Sequence, residues 1–161
     1  MRERLSQWLL LSAVLALAGC ASTDPDFEGI QSARIAMNEG IRAEPPGDYF
    51  IGRRYYKQDY KFWGYLRSPG QPWNTAKLVM MNEQQKLAPD RQLGTIGSDN
   101  SYEYTINGHY SGDTVYEPAS NGFYPEFILT GYQLRSASPP AIFRDPAAAS
   151  NPARRVILPP Y

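Results

Sequence analysis

Cys20 and His109 are the only cysteine and histidine in the chain. A Ser-His-Asp hydrolase needs an imidazole held between a nucleophile and a carboxylate. His109 follows Gly108 in a stretch that reads as a turn or an exposed strand end. No Gly-x-Ser-x-Gly elbow accompanies it, because Gly108-His109-Tyr110-Ser111-Gly112 places its serine one position too late. Ser98-Asp99-Asn100 matches one triplet of the serine β-lactamases, but no Ser-x-x-Lys and no Lys-Thr-Gly stands beside it. Structural zinc needs four ligands of the Cys and His type, which one of each cannot supply. Asp24, Asp26, Glu28 and Gly29 imitate the start of a calcium loop, but its twelfth position is Ile35. No Gly-rich phosphate loop occurs. Glu103, Glu117 and Glu126 lie on or beside strand patterns and are the candidates for a carboxylate pair; acids so placed more often form a solvated face. The chain therefore reads as non-catalytic, with no metal and no cofactor.

Recognition is the other chemistry on offer. The chain has 12 Tyr, 3 Trp and 6 Phe, and flat aromatic faces stack on sugar rings or grip peptides. Trp63 and Tyr65, flanked by Lys61 and Arg67, form the best patch. Arg53 and Arg54 on the preceding strand could pair with carboxylates, such as those of peptidoglycan stems. The competing reading is that these aromatics are ordinary strand formers that fill sheet walls. If Tyr60, Phe62 and Leu66 face the core, Lys61, Trp63, Tyr65 and Arg67 face outward. Either a partner covers that face, or the segment after Pro139 does, with Ile142, Phe143 and Ile157.

The 161 residues carry 16 basic and 16 acidic side chains. Zero net charge excludes the clustered positive surface of a nucleic-acid binder. One cysteine excludes an intrachain disulfide. An apolar content of 42% is too high for a disordered chain, and the length suits one domain.

Arg2 and Arg4 precede an apolar run from Trp8 to Ala18, broken only by Ser12. As a helix those residues span about 17 Å, short of the roughly 30 Å of bilayer hydrocarbon. This is the layout of a secretory signal. The run ends in Leu17-Ala18-Gly19-Cys20, which resembles the lipobox of bacterial lipoproteins. The resemblance covers about the first 20 residues and implies that Cys20 is cleaved free and acylated. Two or three chains on one cysteine hold durably where one binds only marginally. Ala21 is not Asp, which in the enterobacterial sorting rule of this family implies the outer membrane. The expected organisation is a signal peptide over 1–19, a lipidated tether over 20–29, a β domain over 30–138 and a Pro-rich tail over 139–161. The resemblance implies an envelope lipoprotein anchored to the membrane, with another envelope protein or peptidoglycan as partner and no nucleic acid. The leading expectation is a non-catalytic binding or structural role. The alternative is a barrel that binds a glycan or a small apolar molecule.

The elements that must position these residues are mostly strands. Ile30 to Ala43 shows the only good helical spacing, stopped by Pro45-Pro46. Strand patterns follow at 49–57, 60–67, 75–82, 102–106, 114–117 and 126–134, with 154–158 as a further edge. Asn107-Gly108 reads either as a hairpin turn or, if the strand continues to Tyr110, as a bulge; Ser111-Gly112-Asp113 is a competing turn. Strands joined by turns without alternating helices give an all-β domain. The expected fold is a small, mainly antiparallel barrel or sandwich of six to seven short strands with one short N-terminal helix. Gly52, Gly64, Gly108 and Gly131 fall inside strand patterns, as barrel curvature requires.

Overall fold

The computed structural model describes residues 25–60, 64–155 and 157–161. Cys20 and its apolar run, Lys61, Phe62 and Trp63 lie outside the described residues. Contacts divide within the first helix, and the barrel with everything packed on it belongs to the unit Arg34–Tyr161.

Helix α1 spans Pro25–Arg42. It begins five residues before the expected start, because Pro25 at the first helical position needs no N–H partner; the tether is helical from there on. Arg34 and Met37 are half-buried and Ile41 is buried, the three-four spacing of one helix face. The helix closes with Ala43 N–H on Glu39 O and Glu44 N–H on Ile41 O, just before Pro45.

Strands β1 (Phe50–Arg54), β2 (Gly64–Arg67), β3 (Lys77–Asn82), β4 (Glu103–Glu117) and β5 (Gly122–Ser136) close into a barrel in the order β1-β2-β3-β5-β4. The β3–β5 pair is parallel and the other pairs are antiparallel. The fold is therefore all-β, a closed barrel of five strands rather than six or seven. Two expected strands, 102–106 and 114–117, are parts of the single strand β4. No strand forms at 154–155 or 157–158. Short helices stand at Trp73–Thr75 (3-10), Pro89–Gln92 (α2) and Pro146–Ser150 (α3).

Leu66, Val79, Ala88, Tyr104, Ile106, Phe127 and Leu129 pack together from four strands and the loop over one end, and so fill the barrel. A second cluster lies on its outside, where Ile51, Tyr55, Tyr65, Trp73 and Leu78 meet Ile41 of α1 and Ile142, Phe143 and Ala149 of the C-terminal segment. Tyr65 and Leu66 thus point to opposite faces as period-two alternation demands, yet all four residues of β2 are buried. The segment after Pro139 is an outer wall of the core rather than a loose tail.

Asn107-Gly108 is a bulge, not a turn: the register shifts there and again between Tyr110 and Thr114. At Gly108, φ is 150° and a Cβ would stand 2.1 Å from the Ile128 carbonyl oxygen, so only glycine fits. Beyond the second bulge, Thr114–Glu117 and Gly122–Pro125 pair only with each other. That ribbon projects past the barrel and turns at Pro118–Asn121.

Candidate functional site

Three arginines and two carboxylates gather on the outer face around Trp73. Arg67 on β2 gives Glu44 two bonds, of 2.6 and 2.7 Å, and the Gly70 N–H adds a third at 2.9 Å. Arg53 on β1 donates to Glu103 at 2.7 Å and to the Pro140 carbonyl at 2.9 Å. Arg135 on β5 bridges both acids, at 3.2 Å to Glu44 and 3.4 Å to Glu103. The guanidinium carbons of Arg53 and Arg67 lie 5.1 and 4.7 Å from the Trp73 ring centre, within cation–π range. Burial works to raise the Glu44 carboxyl, but the hydrogen bonds of Arg67 and Gly70 and the charges of Arg67 and Arg135 outweigh it and hold it below its ordinary value. Burial pulls Arg53 down against the pull of Glu103.

Arg54 points the other way, into the end of the barrel. It reaches Asp90 at 2.6 Å and Asp99 at 2.9 Å. Asp90, fully buried, also accepts the Arg91 and Gly97 N–H groups. Burial first, and then the neighbouring Asp90 charge, raise the Asp99 carboxyl despite Arg54. This triad fastens the loop between β3 and β4 across the barrel end. Lys57 is a fourth buried cation: its ammonium donates to the carbonyls of Ala148, Ala149 and Asn151 at 2.9, 3.0 and 2.7 Å. A positive charge at the C-terminus of α3 is favourable.

The expected outward patch is therefore corrected at Tyr65 and Arg67, and the neighbouring Arg53 and Arg54, expected to meet a partner's carboxylates, are buried as well. Arg53, Arg54, Tyr65 and Arg67 are each 3% exposed. The Tyr65 hydroxyl donates to Leu158 O at 2.7 Å, and its ring packs on Tyr55 and Phe143. The physical reason is that Arg34–Arg42 of α1 and the C-terminal segment cover Arg53, Tyr65 and Arg67, while the loop between β3 and β4 covers Arg54; arginines placed under such covers need carboxylates, and each has one. Lys61 and Trp63 lie outside the described residues. His109 is exposed. Glu103 is held by Arg53, Glu117 accepts the N–H groups of Ala119 and Ser120 in its own turn, and Glu126 accepts from Asn82. Each acid is thus engaged with a different partner. Among the described residues no group of His, Cys, Asp and Glu side chains forms a metal site, and no helix is long and apolar enough to cross a membrane.

The surface that sequence reasoning missed is the projecting ribbon. Tyr116 and Phe123 face each other across it, their ring centres 5.2 Å apart, and are 48% and 71% exposed. The Tyr116 hydroxyl donates to Asn121 and the Tyr124 hydroxyl to Ser120, which stiffens the turn. A cleft of about 380 Å³ opens beside it, lined by Asp59, Met80, Val115, Tyr116, Glu117, Pro118 and Ala119. The readable signal was the pairing of Tyr116 with Phe123 on either side of Pro118–Asn121, once Ser111-Gly112-Asp113 is read as a bulge. No family model, no curated protein and no solved structure matches the chain.

Proposed function

We propose that this protein is a lipid-anchored lipoprotein of the bacterial envelope that binds another envelope component without catalysing a reaction. The observation that carries the reading is Leu17-Ala18-Gly19-Cys20 directly after an apolar run too short to span a bilayer. Cys20 carries the acyl chains, and Ala21 directs the protein to the outer membrane. The barrel supports the binding half of the proposal in two ways. Its interior is packed with side chains, so a ligand must bind outside. Among the described residues its buried charged side chains pair with one another or with backbone, as structural groups do.

The ribbon end is the contact surface of this reading. A two-stranded ribbon is marginal on its own, and this one holds two large aromatics in water. A second reading, a glycan ligand, is favoured by the cleft. By analogy of fold alone, five-stranded barrels that bind oligosaccharides use the loops joining strands 1–2 and 4–5. Here Asp59 comes from the first of those loops, and Pro118 and Ala119 from the second.

The decisive experiment follows acylation and contact in the same cells. Radiolabelled palmitate should enter the wild-type protein and not Cys20→Ala. A photo-crosslinking amino acid at Phe123 should trap a discrete envelope partner, and one at Thr130 should not. Labelling of Cys20→Ala at the wild-type level refutes the anchor, and identical adducts from the two crosslinker positions refute the contact surface.

A further inference from the structure

Between the end of β2 and the middle of β4 lies a cavity of about 240 Å³, remote in sequence from the ribbon turn. Its lining residues are Phe50, Leu66, Arg67, Ser68, Gln71, Thr75, Lys77 and Tyr110. The side-chain chemistry of this set is one-sided. Lys77 and Arg67 are cations, and Ser68, Gln71, Thr75 and Tyr110 bring N–H or O–H donors. Among the described residues no carboxylate lines the cavity.

Most of those donors bond to no described residue, and Lys77, Ser68, Gln71 and Thr75 stand exposed. Arg67 is buried and its Nη atoms hold Glu44, so it lines the cavity without offering a free donor. Among the described residues Lys77 has no acidic partner; its ammonium sits 5.4 Å from the Tyr110 ring centre. The hydroxyls of Ser68 and Tyr110 and the amide of Gln71 likewise hydrogen-bond to no described residue, whereas Thr75 gives its proton to Pro72 O at 2.8 Å. Phe50 and Tyr110, edge to face at 5.7 Å, make a flat apolar wall. The volume lies below the roughly 300–1,000 Å³ of sites for drug-sized molecules, which limits the occupant to something small.

We propose that this cavity binds a small organic anion: a carboxylate or phosphate joined to one ring or short apolar group. Lys77 takes the anionic oxygens, the Ser68 and Tyr110 hydroxyls and the Gln71 amide take the remaining lone pairs, and the ring lies on Phe50 and Tyr110. Such a site holds its ligand through charge-assisted hydrogen bonds, which are the strong ones. It is separate from the ribbon, and loss of either leaves the other intact.

The test is calorimetric titration of the full chain in detergent with benzoate, phenyl phosphate and uncharged benzyl alcohol. At least one anion binds with a dissociation constant at or below about 1 mM, and the alcohol does not. A preference for phenyl phosphate assigns a phosphate ligand, and one for benzoate a carboxylate. Lys77→Met weakens the preferred anion about tenfold or more, the effect of losing one charged bond. Tyr110→Phe keeps the ring wall and gives a smaller loss. Lys86→Met is the control, since Lys86 lies over a different ring, Tyr132. The proposal is overturned if neither anion binds, if the alcohol binds as well as they do, or if both Lys77→Met and Tyr110→Phe bind like wild type.

Discussion

Replacing Lys57 by methionine removes one ammonium and keeps nearly the same stem. Three carbonyl oxygens, on Ala148, Ala149 and Asn151, then lose their charged donor in a site where Lys57 is 1% exposed. Bonds to a charged donor contribute roughly 1.5–3 kcal/mol each. They do not add here, because burying the ammonium opposes them: burial lowers the Lys57 pKa. The expected net loss is about 2–4 kcal/mol, close to what breaking a buried ionic contact by removing one partner costs. With a urea dependence of roughly 1–3 kcal/mol per molar, the unfolding midpoint falls by about 1–2 M. Trp73, buried under the C-terminal wall, reports the transition by fluorescence. Hydrogen exchange provides the local readout. The Gln58 N–H donates to Pro152 O at 3.0 Å and the Tyr161 N–H to Ile142 O at 3.1 Å, so both amides should exchange faster in Lys57→Met. A midpoint within about 0.3 M of wild type, with an unchanged slope, would refute the claim that this ammonium fastens residues 146–151 to the barrel.

Gly108→Ala should destabilise the barrel by more than about 2 kcal/mol, since alanine meets both the positive φ and the Ile128 carbonyl; a loss below about 1 kcal/mol in urea unfolding contradicts that geometry. Acid should weaken the fold through Glu44 and Glu117, whose folded pKa values lie below the ordinary 4.5. Their contribution is complete above pH 4.5 and is lost as pH falls through the lowered values, so Glu44→Gln should lower stability near neutrality and flatten its decline in acid. Asp99 works in the opposite sense, because its pKa is raised above 3.8: its contribution is complete below pH 3.8 and fades as pH rises through the folded value, and Asp99→Asn should remove that opposing slope from thermal unfolding measured across the acid range.

Period-two patterning made the all-β class legible, and the glycines at 64 and 108 announced curvature. Alternation also assigned Leu66 and Tyr65 to opposite faces correctly. What alternation cannot express is whether the second face is dry. Tyr65 and Arg67 look like a solvent face because Arg is rarely buried; their burial depends on Phe143 and Leu158, nearly eighty or more positions away, and on Glu44. The division of β4 into two expected strands has a local reason. Asn-Gly and Ser-Gly-Asp are turn sequences and bulge sequences alike, and only the register across β4 and β5 separates the two. Arg53 and Arg54 were readable as carboxylate binders, and they are, but for Glu103, Asp90 and Asp99 within the chain. The acids were visible too; their distances in sequence hid the pairing.

Residues 139–161 have one more consequence, for the order in which the molecule can be made. Tyr65 is held by Leu158 and Lys57 by Ala148 to Asn151, contacts that join the first half of the chain to its last twenty residues. A polypeptide leaving a ribosome or a translocation channel with its N-terminus first presents β1 and β2 long before the wall that covers them. Until that wall arrives, Arg53, Tyr65 and Arg67 face water beside exposed aromatics. Such a half-finished barrel offers sticky surface to its neighbours, so a growing chain needs shelter until its final turn of sequence docks.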